Sequence, residues 1–429
     1  MSLLYDIPAI IRIFLVFVFV LFTIAKKCSL GTAFLLGAVV LGLMFGLGPY
    51  AIASAAWHSV IYPKTLSLAV IVSLILVLSS SMEAAGQMQR LLANFEGLVS
   101  APRINLVVFP ALIGLLPMPG GAVFSAPMVK ELGNNTSLSP ASLSYINYWF
   151  RHIWEYWWPL YPGVLLATAL SDVNLWTFVT FMCPLTVAAF FFGYIPLRGL
   201  TLSGINHRAV PRPSIKPFFL ELIPILIVIV LGLSIGIGLS VAVPGCAVSK
   251  EMGLIIALCI AIGWIWRQNE FDGPRIRKLL TDPHIMSMIY MVGAIFVFKG
   301  MMEGSHAVEI INNEFALLHI PLVVIAMLLP FLVGGVVGIT IAFVGSTFPI
   351  LIALISAYGE THYMMAYMML ALACGFVGVI LSPLHLCLLL SNQYFGTTLG
   401  AVYRKLWLPS VCFAMLSVGY FFILRRLLS

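Results

Sequence analysis

Ten apolar runs, each long enough to cross a bilayer, divide this chain and leave little room for anything else. They fall at residues 8–26, 30–48, 64–82, 145–170, 174–197, 218–243, 250–267, 284–301, 363–391 and 406–427. A membrane-spanning helix needs about 20 predominantly apolar residues. In hydrocarbon every backbone N–H and C=O must find a partner within the protein, which leaves helices as the spanning element for runs of this length. Only 9% of the residues are charged, against roughly 25% in a soluble domain. The chain therefore reads as an all-α polytopic membrane protein of about ten transmembrane helices, with the lipid bilayer as its main solvent. The first run has an acidic start and no A-x-A site after it, so it reads as a span and not as a signal peptide.

Two segments are apolar but broken. Residues 104–132 contain Pro110, Pro117, Pro119, Gly120, Gly121 and Pro127, and residues 321–355 contain Pro330, Gly334, Gly335, Gly338, Gly345 and Pro349. Proline removes a backbone donor and glycine loosens a helix. Each segment is either a kinked span or a re-entrant hairpin whose tip faces protein or a watery cavity. Their correspondence favours hairpins. Glu83 and Glu303, Phe95 and Phe315, Pro110 and Pro330, and Gly114 and Gly334 share one offset, which drifts slightly by Pro127 and Pro349 and again by Pro159 and Pro383.

That ordered series predicts two copies of one plan: three scaffold spans, an interfacial helix, a hairpin, a broken helix and a last span. The first copy covers residues 1–200, with scaffold spans in 8–82, an interfacial helix at 83–96, the hairpin at 104–132, a broken helix at 145–170 and a span at 174–197. A basic cytoplasmic linker follows at 201–217. The second copy covers 218–429, with scaffold spans in 218–301, an interfacial helix at 303–316, the hairpin at 321–355, a broken helix at 363–391 and a span at 406–427. Five crossings per copy turn the second upside down. Inverted-topology repeats of this kind build carriers that alternate access to a central site.

Basic residues set the orientation. Of the 22 Lys and Arg, fifteen fall on one side of the predicted spans, six fall on the other, and Arg151 lies within a span. The richer side is cytoplasmic, which predicts both termini outside the cytoplasm. The same bias accounts for the net charge of +7 without calling on nucleic acid. The seven cysteines are scattered and form no CxxC pair, so no metal site is indicated.

Ionisable residues inside a span are costly and point to function. Arg151, His152 and Glu155 lie in the broken helix interrupted by Pro159, Pro162 and Gly163. Arg151 and Glu155, at i,i+4, either neutralise each other or handle a carboxylate and a proton. Ser382 and Pro383 interrupt the second broken helix, and His385 follows. Broken helices present N–H groups at one half and carbonyls at the other, which attract anions and cations respectively. Ser125, Thr340, Ser346 and Thr347 are hydroxyls near the predicted tips; they either ligand a carboxylate or Na⁺, or satisfy their own helices. Neither HExxH nor Gly-x-Ser-x-Gly within a span appears, which argues against an intramembrane enzyme, and no P-loop appears to supply ATP drive.

The hairpin Leu116-Pro117-Met118-Pro119-Gly120-Gly121-Ala122-Val123-Phe124-Ser125-Ala126-Pro127, its counterpart ending Gly345-Ser346-Thr347-Phe348-Pro349, and the repeat plan resemble the ion-transporter superfamily. More closely, the chain resembles an uncharacterised ten-span integral membrane family related to gluconate permeases. The resemblance implies a homodimer in the cytoplasmic (inner) membrane of a prokaryote and a transport domain that moves like an elevator against a scaffold. It implies cargo held between the hairpin tips and the broken helices, which here means Pro119, Gly120, Gly121, Ser125, Thr340, Ser346, Thr347, Ser382 and Pro383; Arg151, a candidate carboxylate partner by its own chemistry, is a departure from the family pattern, as is Glu155. Neither hairpin has the Ser-Asn-Thr tip of the dicarboxylate carriers. The expected function is a secondary active transporter, or permease, of a small organic anion coupled to H⁺ or Na⁺, with His152, Glu155 and His385 as coupling residues and no cofactor beyond Na⁺ as a coupling ion. The alternative is a Na⁺/H⁺ or other cation/proton antiporter, in which Glu155 matters and Arg151 is structural.

Overall fold

The computed structural model of the chain describes residues 7–95, 102–117, 121–133, 138–197, 214–243, 248–305, 307, 310 and 321–429. Pro119 and Gly120, most of the linker 201–217 and most of the second interfacial helix at 303–316 lie outside the described residues. The described chain is helical throughout. Among the described residues, eight helices are long and apolar enough to cross a membrane, and the chain is a multi-pass membrane protein.

The helices are α1 (Ala9–Ala25), α2 (Leu30–Met44), α3 (Pro49–Ile61), α4 (Pro63–Ala84), α5 (Gln87–Phe95), α6 (Pro102–Ile113), α7 (Ala122–Gly133), α8 (Pro140–Arg151), α9 (Pro162–Ser171), α10 (Leu175–Met182), α11 (Pro184–Gly193), α12 (Lys216–Ala242), α13 (Ser249–Gln268), α14 (Gly273–Leu280), α15 (Pro283–Gly304), α16 (Leu322–Val337), α17 (Thr340–Ala357), α18 (Met364–Ile380), α19 (Leu386–Phe395) and α20 (Leu399–Leu428). Their starts follow local rules. Pro occupies the first turn of α3, α4, α8, α9, α11, α14 and α15, where its missing N–H costs nothing. Ser29, Ser139, Asn174 and Asp272 cap α2, α8, α10 and α14 through their side-chain oxygens. Helices α3 and α14 are not among the sequence-predicted elements. Helix α3 has 13 residues, too few to read as a span, and α14 has 8 and is basic.

The helices fall into two packing sets. Helices α1–α5 and α12–α15 pack on one another, chiefly as α12 on α13, α2 on α15, α13 on α4 and α15 on α4. Helices α6–α11 and α16–α20 form the second set, chiefly as α16 on α18, α9 on α17, α7 on α19, α6 on α8 and α19 on α8. The sets meet mainly where α9 and α17 touch α4 and α15. In the second set α16 and α18 approach backbone to backbone. A Cβ on Gly334 would lie 2.3 Å from the Gly375 carbonyl oxygen, and one on Gly378 would lie 2.1 Å from that of Phe331. Small residues at such contacts let dispersion and polar contacts replace the hydrophobic drive that lipid removes.

Apolar side chains line the outside as well as the inside. Phe14, Phe22, Phe191, Met286 and Met415 are all more than half exposed, the pattern of a surface wetted by lipid. Within residues 83–96 the structure has a nine-residue helix, α5, which follows α4 after a turn at Gly86. It buries Met88, Leu91 and Leu92, while Arg90 pairs with Glu221 of α12 at 2.8 Å.

Candidate functional site

Helix α8 stops at Arg151, earlier than the prolines at 159 and 162 suggest. Residues 152–161 continue as a string of turns. Competing partners explain the early end. His152 Nδ1 lies 2.6 Å from the carbonyl oxygen of Tyr148. Trp154 Nε1 donates to the Ala111 carbonyl at 2.7 Å and the Tyr161 hydroxyl donates to that of Gly114 at 2.7 Å. The aromatic cluster thus satisfies carbonyls near the end of α6 that helix geometry leaves open. At the second break, the hydroxyls of Tyr148 and Tyr403 do the same for Ile380 and Leu381 at the end of α18, at 3.0 and 2.9 Å.

Arg151 is 3% exposed. Its guanidinium lies against Gly121, at the entry to α7, so closely that a Cβ there would sit 2.0 Å from Nη2. Its Nη1 reaches the Cys387 sulfur, on the first turn of α19, at 3.6 Å. His152 and His385 meet nitrogen to nitrogen, Nε2 to Nε2, at 3.2 Å. The Glu155 carboxylate accepts a hydrogen bond from Thr340, the first residue of α17, at 2.5 Å, and its other oxygen is 3.8 Å from His152 Nε2. Because the helix has ended, Glu155 lies in the turns beyond it. Thr340 in turn packs on Gly163 at the start of α9, where a Cβ would be 2.6 Å from its methyl group. Gly338, in the left-handed region at φ +70°, brings the turn before α17 against the second break: a Cβ would lie 2.8 Å from the Ser382 hydroxyl and 3.1 Å from the His385 nitrogen.

Four helices, α7, α9, α17 and α19, therefore begin at one buried cluster that also holds Arg151. Beside it runs a neutral polar network. Ser125 donates to Asn147 Oδ1 at 2.6 Å, and Asn147 Nδ2 donates to the Ala122 carbonyl and to Ser391, both at 2.9 Å. Ser144 donates to Asn392 at 2.6 Å.

Of the sequence-predicted residues, Gly121, Arg151, His152, Glu155, Thr340, Ser382 and His385 gather here, and Ser125 joins through Asn147. Ser346 and Thr347 lie further along α17 and bond the Ala342 and Phe343 carbonyls of their own helix at 2.9 and 2.8 Å. Pro383 is exposed; its neighbour Ser382 accepts from the Leu384 N–H at 3.3 Å. Asn147, Ser391 and Cys387 belong to the assembly but were not singled out from the sequence. Asn147 is a polar residue in a span and carried a signal. Cys387 read as a small hydrophobe, and nothing in its spacing announces Arg151 or the two histidines.

A separate cavity of about 380 Å³ opens where the two helix sets meet, lined by Lys64, Asp172, Lys250 and Glu251 among others. Lys64 pairs with Asp172 at the end of α9, and Lys299 of α15 donates to the Leu170 carbonyl at 3.0 Å.

No curated protein matches the chain. Residues 9–423 match a family described as "Protein of unknown function (DUF401)", and with nearly its whole length covered the chain belongs to that family.

Proposed function

We propose that the protein is a secondary active transporter of a small organic anion, driven by H⁺ or Na⁺ and working by alternating access. One observation carries the reading: the N-terminal ends of α7, α9, α17 and α19 and the buried Arg151 converge on one cluster. Each helix N-terminus presents unsatisfied N–H groups and a partial positive charge. A guanidinium is the side chain best matched to a carboxylate. Together they suit an anion and disfavour a bare alkali cation as cargo. His152, Glu155 and His385 are the groups placed to couple transport to an ion.

The finer architecture belongs to the same proposal: ten spans, two hairpins (α6–α7 and α16–α17), and two inverted copies. It is supported by paired contacts. Helix α7 packs on α19 as α17 packs on α9, and α2 packs on α15 as α13 packs on α4, the exchange expected when two copies of one plan interlock. In this reading the set α1–α5 with α12–α15 is the scaffold, and the second set is the moving domain of an elevator. A homodimer in the inner membrane of a prokaryote, both termini outside the cytoplasm, and kinship with the ion-transporter superfamily and gluconate permeases complete it.

The test is thermal stability of the purified protein against a panel of carboxylates, sugar acids and phosphates, with and without Na⁺, at two pH values. A specific ligand raises the melting temperature by mass action. Stabilisation by one class of anion is the expected result. A response to Na⁺ or pH alone contradicts it and favours a cation/proton antiporter.

A further inference from the structure

We propose that His152, His385 and Cys387 form a binding site for a borderline-soft divalent transition metal of the zinc type. The proposal goes beyond the transport reading and does not depend on it.

The three ligand atoms, two imidazole nitrogens and a sulfur, all lie within 4.8 Å of one another, and all three residues are buried. A tetrahedral zinc ion with bonds of ~2.0–2.1 Å to nitrogen and ~2.3 Å to sulfur sets its donors ~3.3–3.7 Å apart. The two Nε2 atoms, at 3.2 Å, already stand close to that spacing.

Hydrogen bonding fixes the ring that matters most. The Tyr148 carbonyl can only accept, so the proton between it and His152 sits on Nδ1. In the neutral ring Nε2 then carries a lone pair aimed at His385. A histidine whose far nitrogen donates to a backbone carbonyl is the usual arrangement of a metal ligand, because the second bond orients the ring. Without metal, His385 must supply the proton between the two Nε2 atoms. Its own Nδ1 is buried, faces the Gly338 backbone and makes no well-formed hydrogen bond. Metal binding moves that proton from Nε2 to Nδ1, leaving both Nε2 lone pairs to ligate. A thiol ligand loses its proton to solvent, and the Arg151 guanidinium at 3.6 Å is a counter-charge for the thiolate.

The charge balance accommodates the ion. A dication meets the thiolate and the Glu155 carboxylate, 3.8 Å from His152 Nε2, and Arg151 leaves the cluster with one net positive charge. Three protein ligands and one open position is the arrangement that accepts an exogenous ligand. Here that ligand is water or an anion.

Cobalt(II) is the probe, added to purified full-length protein in which every cysteine except the buried Cys374 and Cys387 is replaced by serine. The expected result is one cobalt per chain. It should show visible bands of tetrahedral intensity and a thiolate-to-cobalt charge-transfer band, and equimolar zinc should displace it. Cys387→Ser should abolish the charge-transfer band, Cys374→Ser should leave it, and His152→Gln and His385→Gln should each abolish stoichiometric binding. Size-exclusion profile and helical circular dichroism separate loss of ligand from loss of fold. No cobalt bound to the folded parent, or a charge-transfer band that survives Cys387→Ser, overturns the proposal, and neither result bears on anion binding.

Discussion

The cluster at the two breaks and the seam between the two helix sets are built by different forces. In the cluster, long-range contacts tie four segments together: Arg151 to Gly121 and Cys387, His152 to His385, Thr340 to Glu155, and Asn147 to Ser125 and Ser391. All these segments belong to the second set, so the bonds hold the site together as a unit. At the seam the contacts are fewer. Two lysines, Lys64 and Lys299, hold the C-terminal end of α9, and Asp172 in the first of these pairs is 79% exposed. A buried charge-assisted bond is worth about 1.5–3 kcal/mol, and an exposed ion pair about 0–1 kcal/mol. A shift of the second set against the first, as in the proposed elevator, would leave these bonds within the second set intact.

The comparison is sharpest at Arg151. Replacing it with Gln removes the charge but keeps much of the volume. Anion-induced stabilisation should weaken roughly 10- to 100-fold in apparent affinity, the equivalent of one charge-assisted bond, and the ligand-free melting temperature should fall as a cluster contact is lost, while circular dichroism changes little. An unchanged ligand response in that variant would break the argument. Gly121→Ala should come next. Its methyl group would meet the guanidinium at 2.0 Å, and overpacking of this kind costs about 1–3 kcal/mol. Both the melting temperature and the anion response should fall, and a variant that matches the parent in both would show that the close approach is dispensable.

Smaller effects are expected beyond these. Thr340→Val deletes the hydrogen bond to Glu155 and should cost about 1.5 kcal/mol, the lower end of the range for such a bond, read in the melting temperature and in the response to coupling ions. At the seam, Asp172→Asn should change ligand-free stability by no more than about 0.5 kcal/mol, with the difference shrinking further in high salt. A seam substitution that destabilises as much as one in the cluster would erase the distinction between the two regions.

How much of this was legible in the sequence depends on range. Apolar runs and prolines are local signals. They located the helices Ala9–Ala25, Lys216–Ala242 and Leu399–Leu428, and they marked the interruptions between α8 and α9 and between α18 and α19. Buried charge is also local, and it singled out Arg151. The pairings are not local: Thr340 and Glu155 lie 185 residues apart, and His152 and His385 lie 233 apart. No periodicity reports such distances. The end of α8 is partly a non-local effect too: the His152 and Trp154 side chains engage backbone carbonyls of Tyr148 and Ala111, and the helix ends at Arg151, before Glu155. Helix α3 carries no spanning signal because it has only 13 residues, and α14 none because it is short and basic.

The central claim is that the cluster carries an organic anion across the membrane and that Arg151 holds it. It is tested most directly by uptake into proteoliposomes of the anion that stabilises the protein, under an imposed H⁺ or Na⁺ gradient, comparing the parent with Arg151→Gln. Gradient-dependent uptake by the parent and none by the folded variant is the predicted result. Equal uptake by both, or none by the parent under either gradient, would contradict it.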